Sequence, residues 1–237
     1  MFNSIYSRGV FLVVSFAAAV SAQDSTMLSK LQHRSSASLS FIQSRPQGAF
    51  RQNVGLAYGA SGGYLFRLDA VGAWSIRADV GVVSYGAESR EAALSNTVGD
   101  RIRFEVKTNH FIIPMSVGPQ VMWPTGIVRP YMNAGIGAQV FETDSHAEAV
   151  SGESLTITTD QSDVAPLWVV GGGIYMPIYN GKTKVSLDFG MQYLNGGNAQ
   201  YQTSGSIIDL PNAQIKRNPS RSVTHMIVVR FGARIGL

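Results

Sequence analysis

Residues 74–82 read WSIRADVGV. Trp74, Ile76, Ala78, Val80 and Val82 fall in one phase; Ser75, Arg77, Asp79 and Gly81 fall in the other. Successive side chains of a β-strand point to opposite faces, so strict alternation over nine residues predicts a strand with one apolar and one polar face. The polar face carries an arginine and an aspartate rather than a run of one sign. That pattern suits a surface facing other charged side chains as well as one facing water.

The same alternation extends in both directions from this stretch. Upstream, Ala49 to Tyr58 and Tyr64 to Ala70 read as two strands joined by a tight turn at 60–63. The first of them carries one phase exception, Gln52. Downstream, strands are expected within Lys107–Trp123, Pro130–Phe141, Pro166–Ile178, Lys184–Tyr193 and Ile227–Leu237. Pro114 and Pro119 cannot donate to a ladder, so a bulge or a strand end is expected near one of them. Short turns are expected at Val71, Pro124 and Asn180-Gly181, the last a hairpin dipeptide. Three polar stretches, 86–103, 142–163 and 195–221, are expected to be long loops. Eight strands of about ten residues result, each long enough to cross a bilayer when tilted.

The two ends of the chain read differently. Arg8 followed by VFLVVSFAAAV (10–20) and Val20-Ser21-Ala22 has the layout of a secretory signal peptide, residues 1–22. Residues 23–47 are Ser-rich and are expected to be a flexible lead-in; 48–237 form the barrel domain. The chain has no cysteine, which excludes disulfides and a thioether lipid anchor. Its 19 basic and 15 acidic residues are spread without a Lys/Arg cluster, so no nucleic-acid partner is expected. No apolar run after the leader approaches the ~20 residues of a membrane helix. A membrane-embedded form must therefore be a closed barrel, because lipid cannot satisfy an open sheet edge.

Alternation alone does not say which face is inside. Alternating short and long connections favour a membrane barrel with its polar face inward. Aromatics expected at strand ends favour it too: Phe50, Trp74, Trp123 and Tyr179 at the short-turn end, and Tyr58, Tyr64, Phe141 and Trp168 at the loop end. The polar interior would then hold Arg51, Asn53, Arg67, Asp69, Arg77, Asp79, Asp188, Gln192, Arg230 and Arg234, with the charges neutralising one another. No helical stripe is visible, whereas a soluble barrel usually carries a helix. The fold class is thus an all-β, closed, antiparallel up-and-down transmembrane barrel of eight strands.

The Arg129-Pro130-Tyr131 strand start, the glycine-rich Gly135-Ile136-Gly137 and Gly171-Gly172-Gly173, and the final Met226–Leu237 strand carry a resemblance. Over 48–237 the chain resembles the small outer-membrane β-barrel family typified by the OmpA membrane domain and OmpX. The resemblance implies residence in a bacterial outer membrane, with lipid and lipopolysaccharide as surroundings. It also implies recognition of the last strand by the barrel-insertion machinery. The terminal Leu237 departs from the aromatic that is commoner there.

No catalytic constellation emerges. His110 and Ser116 share a phase but lie roughly 20 Å apart along an extended chain, too far for a nucleophile and its base. His33, His146 and His225 have no assignable acid partner. The acidic run Glu142, Asp144, Glu148, Glu153, Asp160 and Asp163 lacks Lys and Arg and is a candidate cation-binding loop, since hard cations prefer oxygen. No cofactor is expected. The function that follows is a non-enzymatic outer-membrane barrel with a structural or surface-interaction role through external loops. The alternatives are a small-solute, porin-like channel and a soluble lipocalin-like carrier.

Overall fold

The computed structural model describes residues 34–93, 103–149, 154–181, 183–203, 206–210 and 214–237. The expected signal peptide, 1–22, lies outside them. The elements in chain order are β1 (Ser35–Pro46), α1 (Phe50–Asn53), β2 (Ala57–Arg67), β3 (Trp74–Ala93), β4 (Arg103–Met122) and β5 (Arg129–Ala149). They continue with β6 (Ser154–Asn180), β7 (Lys184–Tyr201), the short pair β8 (Ile207–Leu210) and β9 (Gln214–Arg217), and β10 (Ser220–Gly236). Eight strands close in the order β1-β10-β7-β6-β5-β4-β3-β2, every pair antiparallel. The seam is the β1–β10 ladder, from Ser36↔Gly236 to Pro46↔Met226.

The strand count expected from the sequence is met, but two misreadings offset each other. The Ser-rich segment expected to be flexible contains β1. Ala37, Leu39 and Phe41 alternate outward, and Ser36, Ser40, Ile42 and Ser44 are buried in the lumen. A serine-rich strand looks like a linker only if the polar face must meet water. Conversely, the expected strand 49–58 and strand 64–70 are not separate. Residues 60–63 continue β2 in register with β1 and β3, with no turn between them. The preceding residues form α1, entered through Gly48 at φ 57°. Phe50 and Val54, four apart, both point into the lumen, as one helical turn dictates. The Gln52 exception was the trace of that turn.

The expected bulge at a proline is also displaced. β4 runs through both Pro114 and Pro119. Pro114 pairs only with Gln139 of β5, and Pro119 only with Ile76 of β3, so each proline leaves one side of its ladder open. The register shift lies instead at Ser84/Gly86.

The start of β1, the end of β10 and the short connections after β2, β4 and β6 share one end of the barrel, the near end. Asp69 closes the first of these turns by accepting the Gly72, Ala73 and Trp74 amides at 3.0–3.1 Å. The far end holds α1 and the strand extensions. Among the described residues, the polar stretches expected to be loops are largely strand; 94–102 lie outside them. β3 and β4 have 20 residues each, β5 has 21 and β6 has 27. A tilted strand crosses a bilayer in about ten residues, so these hairpins stand well beyond any such layer.

The outer wall of the near half is apolar. Ile76, Met115, Val117, Met132, Ile136, Val170, Met191, Val229 and Phe231 all face outward and are exposed. Beyond it the outward positions turn polar: Ser84, Asn109, Glu142, Ser162, Asn198, Gln200 and Arg221. The interior changes in the opposite sense along the same strands.

Candidate functional site: a lumen in two halves

In the near half, Arg77 and Arg230 stand between Asp79 and Asp188. Arg77 Nε donates to Asp79 Oδ2 at 2.6 Å, and its Nη2 lies 3.8 Å from Asp188 Oδ2. Arg230 lies 3.8 Å from Asp79 and 3.7 Å from Asp188. Asp188 is fully buried, and both arginine side chains are 3% exposed. Taking such charges out of water is costly, and their attraction offsets that only when the remaining polar atoms are engaged.

Two tyrosines do much of this engaging. Tyr131 Oη donates to Asp188 Oδ1 at 2.7 Å and accepts from Arg230 Nη2 at 2.8 Å. Tyr175 Oη accepts from Arg77 Nη1 at 2.8 Å and donates to Gln120 Oε1 at 3.4 Å. Their rings stack with centroids 4.4 Å apart, and the Arg234 guanidinium lies 3.9 Å from the Tyr175 centroid on the near side. Gly173 and Gly190 leave room for the Tyr131 hydroxyl; a Cβ at either would come within 2.5 Å of it.

The far half of the lumen is built around an apolar cluster, with the buried polar groups of Thr108, His110, Gln139, Thr143, Ser222 and Thr224 beside it. Ile42, Phe50, Val54, Val83, Ile112, Phe141, Leu167, Val169, Leu194, Tyr201, Met226 and Val228 form one buried cluster. Phe50 inserts from α1 edge-on to Phe141 and Tyr201, with centroids 6.0 and 5.0 Å away. Asn53 Nδ2 donates to Tyr201 Oη at 3.1 Å, anchoring the helix across the mouth. Between the two halves remains a cavity of about 30 Å³ beside Asp79, Gln192 and Arg230.

The residues expected to form one polar interior therefore divide. Arg77, Asp79, Asp188 and Arg230 meet in a single network, Arg234 lies next to it, and Gln192 is buried in the lumen beyond it. Arg67 sits at the near mouth and Asp69 in a turn. Arg51 is exposed on α1, and Asn53 is an anchor at the opposite end. The last two left the lumen because their segment is a helix rather than a strand. Tyr131, Tyr175 and Gln120 were absent from the expected set. Their signal was phase: Tyr131 alternates with Asn133 and Gly135, and Tyr175 with Gly173 and Gly171, on the inward series of each strand.

Of the aromatics expected at a membrane interface, Tyr58, Tyr64, Trp74, Trp123, Trp168 and Tyr179 are exposed on the outer wall. Phe50 and Phe141 are instead buried inside the plug, and Phe50 is at the far end, not the short-turn end. Tyr64 moves the other way. Its hydroxyl donates to Ser35 Oγ at 2.8 Å, beside the termini, because β2 is continuous.

The acidic stretch is not a loop. Glu142, Asp144 and Glu148 lie on β5 and Asp160 and Asp163 on β6; Glu153 is outside the described residues. The Asp163 carboxylate already accepts the Val164 and Gln200 amides at 2.8 and 2.6 Å. Burial, reinforced by the neighbouring Asp144, raises the Glu142 carboxyl above its ordinary range. Among the described residues no group of three His, Cys, Asp or Glu is placed to hold a metal. His110 Nδ1 meets Thr143 Oγ1 at 3.0 Å and its ring stacks on Tyr85, a packing role within the far half.

No family model matches the sequence. No curated protein matches it either. Several solved structures resemble the fold. Neisserial surface protein A is 12% identical, with 86% of this chain and 97% of that one covered at a TM-score of 0.40. Ail, the attachment invasion locus protein of Yersinia pestis, solved with the heparin analogue sucrose octasulfate, is 13% identical, covering 84% and 97%, TM-score 0.40. A major outer membrane protein from Thermus thermophilus is 12% identical, covering 85% and 98%, TM-score 0.42. What the chain itself establishes, through its unbroken circle of ladders, is a closed eight-stranded antiparallel barrel.

Proposed function

We propose that this protein is a non-enzymatic outer-membrane barrel that conducts no solute and acts through the strand extensions and connections at its far end. One observation carries the reading: the wall inverts along its length. The near half is apolar outside and charged inside; the far half is polar outside and holds, inside, an uncharged mix of one apolar cluster and buried hydroxyl, amide and imidazole groups. Only a layer of hydrocarbon around the near half gives both halves a favourable surface. A soluble carrier would keep one apolar interior from end to end and leave it open for a ligand. Here the apolar interior is filled by its own side chains and by α1.

In this reading the wall contacts outer-membrane lipid and lipopolysaccharide. The extensions present the surface that meets a partner, and the β10 ladder is what the insertion machinery handles during assembly. A barrel of eight strands has an interior just wide enough for side chains, and the arginine–tyrosine network and the plug obstruct it in series. Two measurements test this. The unheated protein from an outer-membrane fraction should migrate differently in SDS from the boiled protein, and reconstituted protein should give no steady current across a planar bilayer. Recovery in the soluble periplasmic fraction would overturn the membrane assignment; a steady conductance would overturn the closed lumen.

A further inference from the structure

The near mouth contains a second electrostatic feature, distinct from the network above it. A cavity of about 90 Å³ is lined by Arg67, Arg129, Lys184 and Arg234, with Ser186 and Asn180 among its neutral donors and no carboxylate on its wall. Four cations converge from β2, β5, β7 and β10; β7 and β10 pair directly, and closure of the barrel brings β2 and β5 to face them. Arg67 is repelled by Arg234 and by Arg129. Asp69, which attracts Arg67, has its carboxylate committed to three turn amides. Most telling is Arg234. It is 5% exposed, its guanidinium rests on the Tyr175 ring, and no acidic group pairs with it among the described residues. A buried guanidinium surrounded by other cations is unfavourable unless an anion completes it.

We infer that the near mouth is an oxyanion site, taking phosphate, either free or as the head group of a phosphomonoester lipid. Arg234 forms the floor on its Tyr175 support, and the guanidinium forks of Arg67 and Arg129 suit a tetrahedral oxyanion. Lys184 adds a point charge at the rim. The space admits a few waters or one small oxyanion and excludes a larger acidic ligand. The assignment depends on the cavity's chemistry alone and not on which compartment the mouth faces.

Calorimetric titration tests this on the full folded barrel, in two arms at low ionic strength. Inorganic phosphate is added to protein in a zwitterionic detergent; phosphatidic acid is offered in phosphatidylcholine nanodiscs. Saturable binding in either arm supports the site, and the arm that binds identifies the source. R67Q/R129Q should weaken it at least tenfold, whereas R45Q, at an exposed position at the far end, should leave it unchanged. Should the double variant fail to refold, K184Q at its exposed rim position should weaken binding about threefold, the size expected of one rim charge. No saturation in either arm, or equal affinity in the native, mouth-variant and R45Q proteins, would overturn the inference.

Discussion

The two halves of the lumen are walled by the same strands, yet they are held together by different forces. In the near half the interior is bonded: two arginines, two aspartates and two tyrosines are joined by hydrogen bonds and ion pairs, although Asp188 Oδ2 and Arg230 Nε face each other at 3.7 Å without a hydrogen bond. In the far half packing leads: aromatic and aliphatic side chains fill the space around Phe50, and the polar groups beside them, such as His110 with Thr143 and Tyr201 with Ser222, make uncharged hydrogen bonds rather than ion pairs. On the proposed outer-membrane placement, the difference follows from what lies outside the wall. Where the exterior is hydrocarbon, burying an apolar side chain inside gains little, because lipid is equally apolar, and a unique interior must come from hydrogen bonds and ion pairs. Where the exterior is water, the hydrophobic effect operates as in any soluble domain. On the proposed function, one barrel combines a membrane-protein interior and a soluble-protein interior, and the level at which they exchange would mark the boundary of the bilayer.

The largest blow to the bonded half should come from D188A. It leaves Arg77 and Arg230 buried with too little compensating charge and Tyr131 without its acceptor. Removing one partner of a buried pair costs about 3–5 kcal/mol, to be read as a lower guanidinium midpoint for the refolded barrel in detergent. A loss under about 1 kcal/mol would mean that the near half is not held by its ion pairs. In the packed half, F50A should cost about 3 kcal/mol and should leave the planar-bilayer current at zero, because the charged half still blocks the lumen. A current in F50A would show that the plug alone closes the barrel.

The boundary itself can be sharpened with arginine on the outer wall. I136R should cost about 2–4 kcal/mol, the penalty of a cation at the bilayer midplane, whereas N198R in the far half should change stability by less than about 0.5 kcal/mol. Equal effects at the two positions would remove the inversion. The smallest effect concerns Glu142 on the water-facing side. Its carboxyl is raised in the folded state, so the native protein holds that proton more tightly than the unfolded chain does. Stability is therefore lost as pH rises from the ordinary carboxylate range through the raised value. E142Q should lack this loss, so the two proteins should match at low pH and the variant should be the more stable at neutral pH.

Much of the near half could be read from the sequence, and little of the far half. WSIRADVGV announced both faces of β3, and the inward phase carried Arg77, Asp79, Asp188 and Arg230 to the place where they meet. That reading worked because the apolar series on this side is unbroken and faces out. In the far half the inversion makes the outward positions polar, so long strands such as 142–149 and 154–163 resemble loops. The apolar inward positions, Phe141 above all, resemble interface aromatics. β1 failed for a related reason: serine is an acceptable lumen residue but also the commonest sign of a linker. Phe50 and Val54 carried a helical spacing that was outweighed by an alternation imposed on nine residues around them. The four cations at the mouth come from β2, β5 and the β7–β10 pair, which face one another only once the barrel has closed, so no local pattern could report them.

The seam has a kinetic consequence. Its ladder joins Ser36 to Gly236, residues at opposite ends of the described chain, so the contact that removes the two free sheet edges is also among the longest in sequence. Until β10 arrives, every partial barrel presents two unpaired edges that other chains can extend. Contacts of such long range form slowly. Assembly of the barrel cannot therefore proceed strand by strand as independent events. A polypeptide stopped short of 220–236 would be a candidate for aggregation or degradation rather than a smaller barrel, which makes the arrival of the last strand a checkpoint on the whole molecule.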